Sequence, residues 1–147
     1  MIDKNINLGS LANYKELFQA IGENKNISVF GMGQSQKFLT ALNSSRPILF
    51  VTADATTAKR VFEEFNVLTG SKASYLPAGS DILLYRKAQS NENNIERIKT
   101  IFELVNNKTK VVVASVDALL SYLPNAKNFK ASITKFKVNE TIEQHLI

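Results

Sequence analysis

The chain has 147 residues, a formal net charge of +5, 44% hydrophobic and 21% charged residues, no cysteine and a single histidine, His145. That is material for one solid core of ordinary soluble composition; it excludes disulfides and thiolate metal sites, and a histidine-built metal site or catalytic triad is not expected. No apolar run approaches the ~20 residues of a membrane-spanning helix and the N-terminus lacks a signal-peptide core, so the expected location is the cytoplasm, with no membrane partner.

Residues 1–10 are polar, and Tyr14, Leu17, Phe18 and Ile21 then fall at helical spacing, with Gly22 as the stop. Ile27 to Phe30 reads as a first strand. It runs into Gly31-Met32-Gly33-Gln34-Ser35-Gln36-Lys37-Phe38 and a helix with Leu39 and Leu42 on one face. Strand, glycine turn and helix are the context of a phosphate-binding P-loop, G-x-x-x-x-G-K-[ST]. Its glycines let backbone N–H groups close on phosphate, its lysine reaches the β/γ-phosphates, and its hydroxyl binds Mg²⁺. Counted back from Lys37, Gly31 holds the first glycine position, but Gln36 stands at the second and Phe38 at the hydroxyl. Gln36 puts a Cβ where backbone must touch phosphate, and Phe38 offers no oxygen to a hard cation. The loop is therefore read as a relic, with Lys37 a solvated helix residue or, alternatively, a surviving anion contact.

Asn43-Ser44-Ser45 breaks that helix, and Pro47 opens a second strand, Ile48 to Val51, whose unbroken apolar run suits a parallel strand covered on both faces. Asp54 is expected to N-cap the next helix rather than to act as a catalytic acid. The inward stripe of that helix is Ala58, Val61, Phe62, Phe65 and Leu68, and Gly70 ends it. A short strand spans Ala73 to Leu76. The loop from Pro77 to Gln89 carries Ile82, Leu83, Leu84, Tyr85 and Arg86, apolar content that reads first as a flap over the sheet edge and second as a docking patch.

Ser90 is expected to cap a helix with Ile95, Ile98, Ile101, Phe102 and Val105 inward and Glu96, Arg97, Lys99 and Glu103 toward water; Asn106-Asn107 ends it. The strand Val111 to Ala114 follows, then Ser115 caps a short helix expected to bury Val116, Leu119, Leu120 and Leu123. A motor ATPase needs a Walker B acid at the end of such a strand to hold Mg²⁺. Ala114-Ser115 stands there, and Asp117 fits as a complement to the helix dipole. After Pro124 come Lys127, Lys130, Lys135 and Lys137 without an intervening acid, either a solvated surface or a contact surface for DNA. Ile133 to Val138 reads as a strand, and the helix begun at Glu140 stops mid-pattern, as in a segment cut from a longer chain. The alternation of strands and helices predicts an α/β fold, a doubly wound and mostly parallel sheet with helices on both faces. The expected division is residues 1–26 as N-terminal segment and helix, 27–125 as the α/β domain, and 126–147 as the start of another.

Taken in order, the first strand with its broken loop, Arg46-Pro47-Ile48-Leu49-Phe50-Val51-Thr52, and Leu76-Pro77-Ala78-Gly79-Ser80-Asp81-Ile82-Leu83-Leu84-Tyr85 resemble the N-terminal module of the bacterial transcription-repair coupling factors, the Mfd family. Asn91-Glu92-Asn93-Asn94-Ile95-Glu96-Arg97-Ile98 and Val111-Val112-Val113-Ala114-Ser115-Val116-Asp117-Ala118-Leu119-Leu120 extend that resemblance and are also similar to the first domain of the excision-repair helicase UvrB. It runs from about Ile27 to the C-terminus and rests on the ordered set, not on any one motif.

The resemblance implies a UvrB-like domain that has lost its ATP site: a working UvrB loop would carry Gly and Thr where Gln36 and Phe38 stand. It also implies that UvrB's long damage-probing hairpin is absent, because only about a dozen residues separate Leu76 from Ser90. Residues 126–147 would begin the family's UvrA-recruiting domain, with its first strand after Ala131, and the RNA-polymerase-binding and ATP-dependent DNA-translocase domains would lie beyond. The implied function is a non-catalytic scaffold without cofactor or metal. Its partners would be the other domains of the coupling factor and, through them, UvrA, RNA polymerase and DNA. The alternative is an active nucleotide-binding half-domain of a UvrB-related helicase, using Lys37 and a helix N-terminus for phosphate. A third reading is a DNA-binding module using the lysine run, which requires affinity that falls steeply with salt.

Overall fold

The computed structural model describes residues 8–70, 73–79 and 91–134. After a 3-10 turn at Leu8–Ser10, these residues form α1 (Ala12–Gly22), α2 (Gln34–Asn43), β1 (Ile48–Thr52), α3 (Ala55–Thr69), β2 (Ala73–Leu76), α4 (Asn91–Val105), β3 (Val111–Ser115), α5 (Val116–Leu120) and α6 (Ala126–Ala131). The strands make one parallel sheet in the order β1-β3-β2, with Ile48 opposite Val111 on one side of β3 and Ala73 opposite Val111 on the other. Parallel neighbours need helical crossovers, and the helices fall on both faces, so the general α/β class expected from the alternation is the observed one.

Two apolar clusters hold the layers together. On one face Phe38 and Ala41 of α2 and Ala58, Val61 and Phe65 of α3 pack against Val111, Val113 and Tyr75, with Ile48 and Phe50 alongside. On the other, Ile101 of α4 and Ala118 of α5 meet Leu76, Val112 and Ala114, and Phe129 of α6 packs against them. Every residue of β3 is buried, as a central strand requires. At about 25 cal/mol per Å² of apolar surface removed from water, such paired faces supply the main stabilising term of a domain this size.

Several local expectations hold for physical reasons now visible. Asp54 caps α3, accepting the Thr57 N–H at 2.8 Å, and Gly70 closes it in the left-handed region at φ 56°. Ser115 caps α5 by accepting the Ala118 N–H at 3.2 Å. Others are corrected. Ile27–Phe30 is not in a strand and pairs with none among the described residues, and Phe30 is 91% exposed. Among the described residues β1 is an edge strand, not one covered on both faces; Ile48, Phe50 and Thr52 are half-buried while Leu49 and Val51 are exposed. α4 is rotated from the expected face, with Ile95 and Ile98 exposed and Arg97, Thr100 and Ile101 buried. In α5 only Ala118 is buried; Val116 and Leu120, and Leu123 beyond the helix, are exposed. α6 was not expected at all, although Asn125 caps it by accepting the Lys127 N–H at 2.9 Å. No helix among the described residues is long and apolar enough to cross a membrane.

Candidate functional site

The glycine turn ahead of α2 is the one place where the sequence points to ligand chemistry. Gly31 sits at φ +75°, a conformation that costs a glycine little and a residue with a Cβ considerably more. Gly33 is the N-cap of α2, and its carbonyl accepts the Lys37 N–H at 3.1 Å. Gln36, at the third helical position, turns back so that its side-chain Oε1 accepts the Gly33 N–H at 2.8 Å. This is half of a capping box, since glycine has no side chain to return the bond. A donor that a phosphate oxygen would use in a P-loop is thereby held by the protein's own amide.

The next two positions diverge from phosphate chemistry in different directions. Lys37 is exposed and borders a cavity of about 250 Å³ with Gln34, Thr52, Ala53 and Thr57. This crevice lies outside the carboxyl end of β1, where open α/β sheets commonly receive ligands. Phe38 lines the inner side of the same crevice and belongs to the core: it is 1% exposed, with its ring edge-on to Phe50 at 6.0 Å and to Phe65 at 5.2 Å between centroids. The position that would hold Mg²⁺ in a P-loop is here the centre of the first core cluster.

A carboxylate follows the crevice residues Thr52 and Ala53 directly in sequence. Asp54 stands at the N-terminus of α3, and Thr57, which lines the crevice, donates both its backbone N–H and its hydroxyl to that carboxylate at 2.8 Å. The backbone bond first and the hydroxyl second hold the Asp54 carboxyl below its ordinary value. The group thus stabilises the fold at pH values above the unfolded carboxylate range, and this contribution is lost as pH falls through its lowered native value. Asp54→Asn keeps a capping oxygen and removes the charge. The difference in thermal midpoint between wild type and Asp54→Asn should be present at neutral pH and close in acid; a difference constant over that range would refute the assignment.

The remaining candidates separate in space. At the end of β3, Ser115 is engaged as a cap and Asp117 is exposed in the first turn of α5, so no acid follows that strand directly. Lys127 and Lys130 are exposed and three residues apart on α6, hence on one side of it. Ile82, Leu83, Leu84, Tyr85, Arg86, Lys135 and Lys137 lie outside the described residues, as do four of the six residues of the expected strand from Ile133 to Val138; Ile133 and Thr134 themselves are not in a strand. No group of three or more His, Asp or Glu among the described residues could hold a metal ion.

One polar centre escaped the sequence reading. Arg97 on α4 is 7% exposed, and its guanidinium donates to the carbonyls of Pro77 at 2.6 Å, Ala118 at 3.3 Å, Ser121 at 3.4 Å and Tyr122 at 2.9 Å. It ties the exit of β2 to the end of α5, and Ser121 Oγ accepts the Gly79 N–H at 3.1 Å beside it. Burial pulls its pKa below the ordinary arginine value, although guanidinium stays charged. The signal was available: Arg97, Thr100 and Ile101 share helical spacing. No protein-family model, curated protein or solved structure matches this chain.

Proposed function

We propose that the chain is a non-catalytic scaffold domain with a relic phosphate loop, the UvrB-like N-terminal module of a transcription-repair coupling factor. The observation that carries the non-catalytic part is the closure of the Gly33 N–H by the Gln36 side chain, with Phe38 directed into the core. Phosphate binding at such a turn depends on free backbone N–H groups and on a helix N-terminus open to an anion. Here one of those N–H groups is already bonded. The family assignment rests on the ordered sequence segments, and the parallel α/β layering is compatible with it. On this reading the domain positions an adjoining UvrA-recruiting domain, while RNA polymerase and DNA are engaged by other parts of the parent protein.

Calorimetric titration with MgATP, on the wild type and on Lys37→Ala, tests it. The scaffold reading expects no saturable heat and no thermal shift at millimolar nucleotide in either protein. Saturable binding that disappears in Lys37→Ala would overturn it and establish a divergent working phosphate site. A separate titration with purified UvrA, using the chain extended into the adjoining domain, checks the family assignment; failure to bind UvrA would remove it without touching the first result.

A further inference from the structure

We propose that β1 is a self-association edge, through which two copies of this chain join antiparallel and extend the sheet from three strands to six. β1 pairs with β3 alone among the described residues. The Ile48 N–H donates to the Lys110 carbonyl at 2.8 Å, so the backbone groups of Ile48, Phe50 and Thr52 face β3. Backbone direction alternates along a strand, so the N–H and C=O groups of Leu49 and Val51 face outward at the free edge. Their side chains are 51% and 52% exposed on the face that α4, α5 and α6 leave bare beside β3.

Natural edges are blunted by lysine, proline, bulges or a covering element. Residues 48–52, Ile-Leu-Phe-Val-Thr, contain no charge, proline or glycine. The edge is also complementary to itself. An antiparallel pair centred on Phe50 sets Leu49 opposite Val51 of the second copy and Val51 opposite Leu49. Those are the residues with outward backbone groups, so both pairs exchange N–H and C=O bonds. The side chains of directly opposed residues share a face, which gathers two leucines and two valines into one apolar strip. Pro47, which lacks an N–H, limits the ladder to β1 itself. A two-fold contact of this kind closes on itself and ends at the dimer.

Sedimentation equilibrium on the full chain, from micromolar to millimolar concentration, should show a monomer–dimer equilibrium; a monomer throughout, or association past the dimer, overturns the proposal. Val51→Pro removes one outward N–H per copy without touching the β1–β3 ladder, and is expected to raise the dimer dissociation constant about tenfold or more. If that variant fails to fold, Leu49→Lys with Val51→Lys serves instead and should leave only monomer. Phe30→Ser and Leu120→Ser, which change exposed apolar residues outside β1, should leave the dimer intact; dissociation in either variant would place the contact elsewhere and refute the edge. Because the chain has no cysteine, mixing L49C with V51C under mild oxidation should give the mixed disulfide faster than either protein gives its own.

Discussion

Phe38→Ala should destabilise the fold by about 3–5 kcal/mol, and Phe38→Thr should cost a similar amount without conferring MgATP binding. Phe38 is among the largest fully buried side chains described, and it joins α2 to β1 and α3 through its contacts with Phe50 and Phe65. Truncation removes the transfer free energy of a benzyl group and leaves a cavity whose walls come from three different elements. One of those walls is pinned at its end: Lys110 donates its ammonium to the Ser44 carbonyl where α2 stops. Collapse into the void is therefore limited, which favours the upper part of the range.

Phe38→Thr is the more informative variant, because it restores the hydroxyl that a P-loop would carry. Its hydroxyl can bond the helix carbonyl one turn back, as Thr40 does to Gln36 and Thr69 to Phe65, so the expected cost is mainly the lost ring packing. Urea unfolding at neutral pH measures both variants; a loss below ~1 kcal/mol would mean that α2 is not anchored by this residue. Recovered MgATP binding in Phe38→Thr would mean that one substitution alone silences the loop, against the role given to Gln36.

The same residue shows what could be read in advance. That Phe38 fails as a metal ligand is a fact of side-chain chemistry, legible without a structure; that it serves the core instead depends on Phe50 and Phe65, far along the chain. Helix caps were legible for a similar reason. Asp54, Gly70 and Ser115 act within a few residues of themselves, so local sequence determines them. The strands were legible as strands but not by rank in the sheet. Ile48 to Val51 and Val111 to Ala114 are equally apolar, yet among the described residues β3 has two neighbours and β1 one, a difference set by chain topology. Ile27 to Phe30 shows the limit most plainly: its composition suits a strand, but no described strand pairs with it, and β propensity is largely a response to neighbours. The site was legible as a loop with the wrong residues. The Gln36 bond to Gly33 was not, because a glutamine at that place reads equally well as a solvated side chain.

Arg97 was lost to the assumption that a charged residue faces water, and its replacement is the second large effect expected. Arg97→Ala should cost about 3–5 kcal/mol, Arg97→Met about 2–3 kcal/mol, and Arg97→Lys an intermediate amount or less. Two terms oppose each other. A buried guanidinium without an ion-pair partner carries a desolvation penalty of several kcal/mol, and no carboxylate among the described residues pairs with it. Against this stand hydrogen bonds to charged groups, each worth about 1.5–3 kcal/mol, made to carbonyls on two separate connections. Removing the side chain returns the penalty but leaves the Pro77 and Tyr122 carbonyls without these donors and unties the β2 exit from the α5 exit. Methionine fills the volume and isolates the polar loss; lysine keeps the charge but lacks the planar fork that reaches several carbonyls at once. Chemical denaturation of the three variants decides between the terms. A neutral or stabilising Arg97→Met would show that the buried charge is a net liability, and its place in the fold would then need a functional rather than a structural reason.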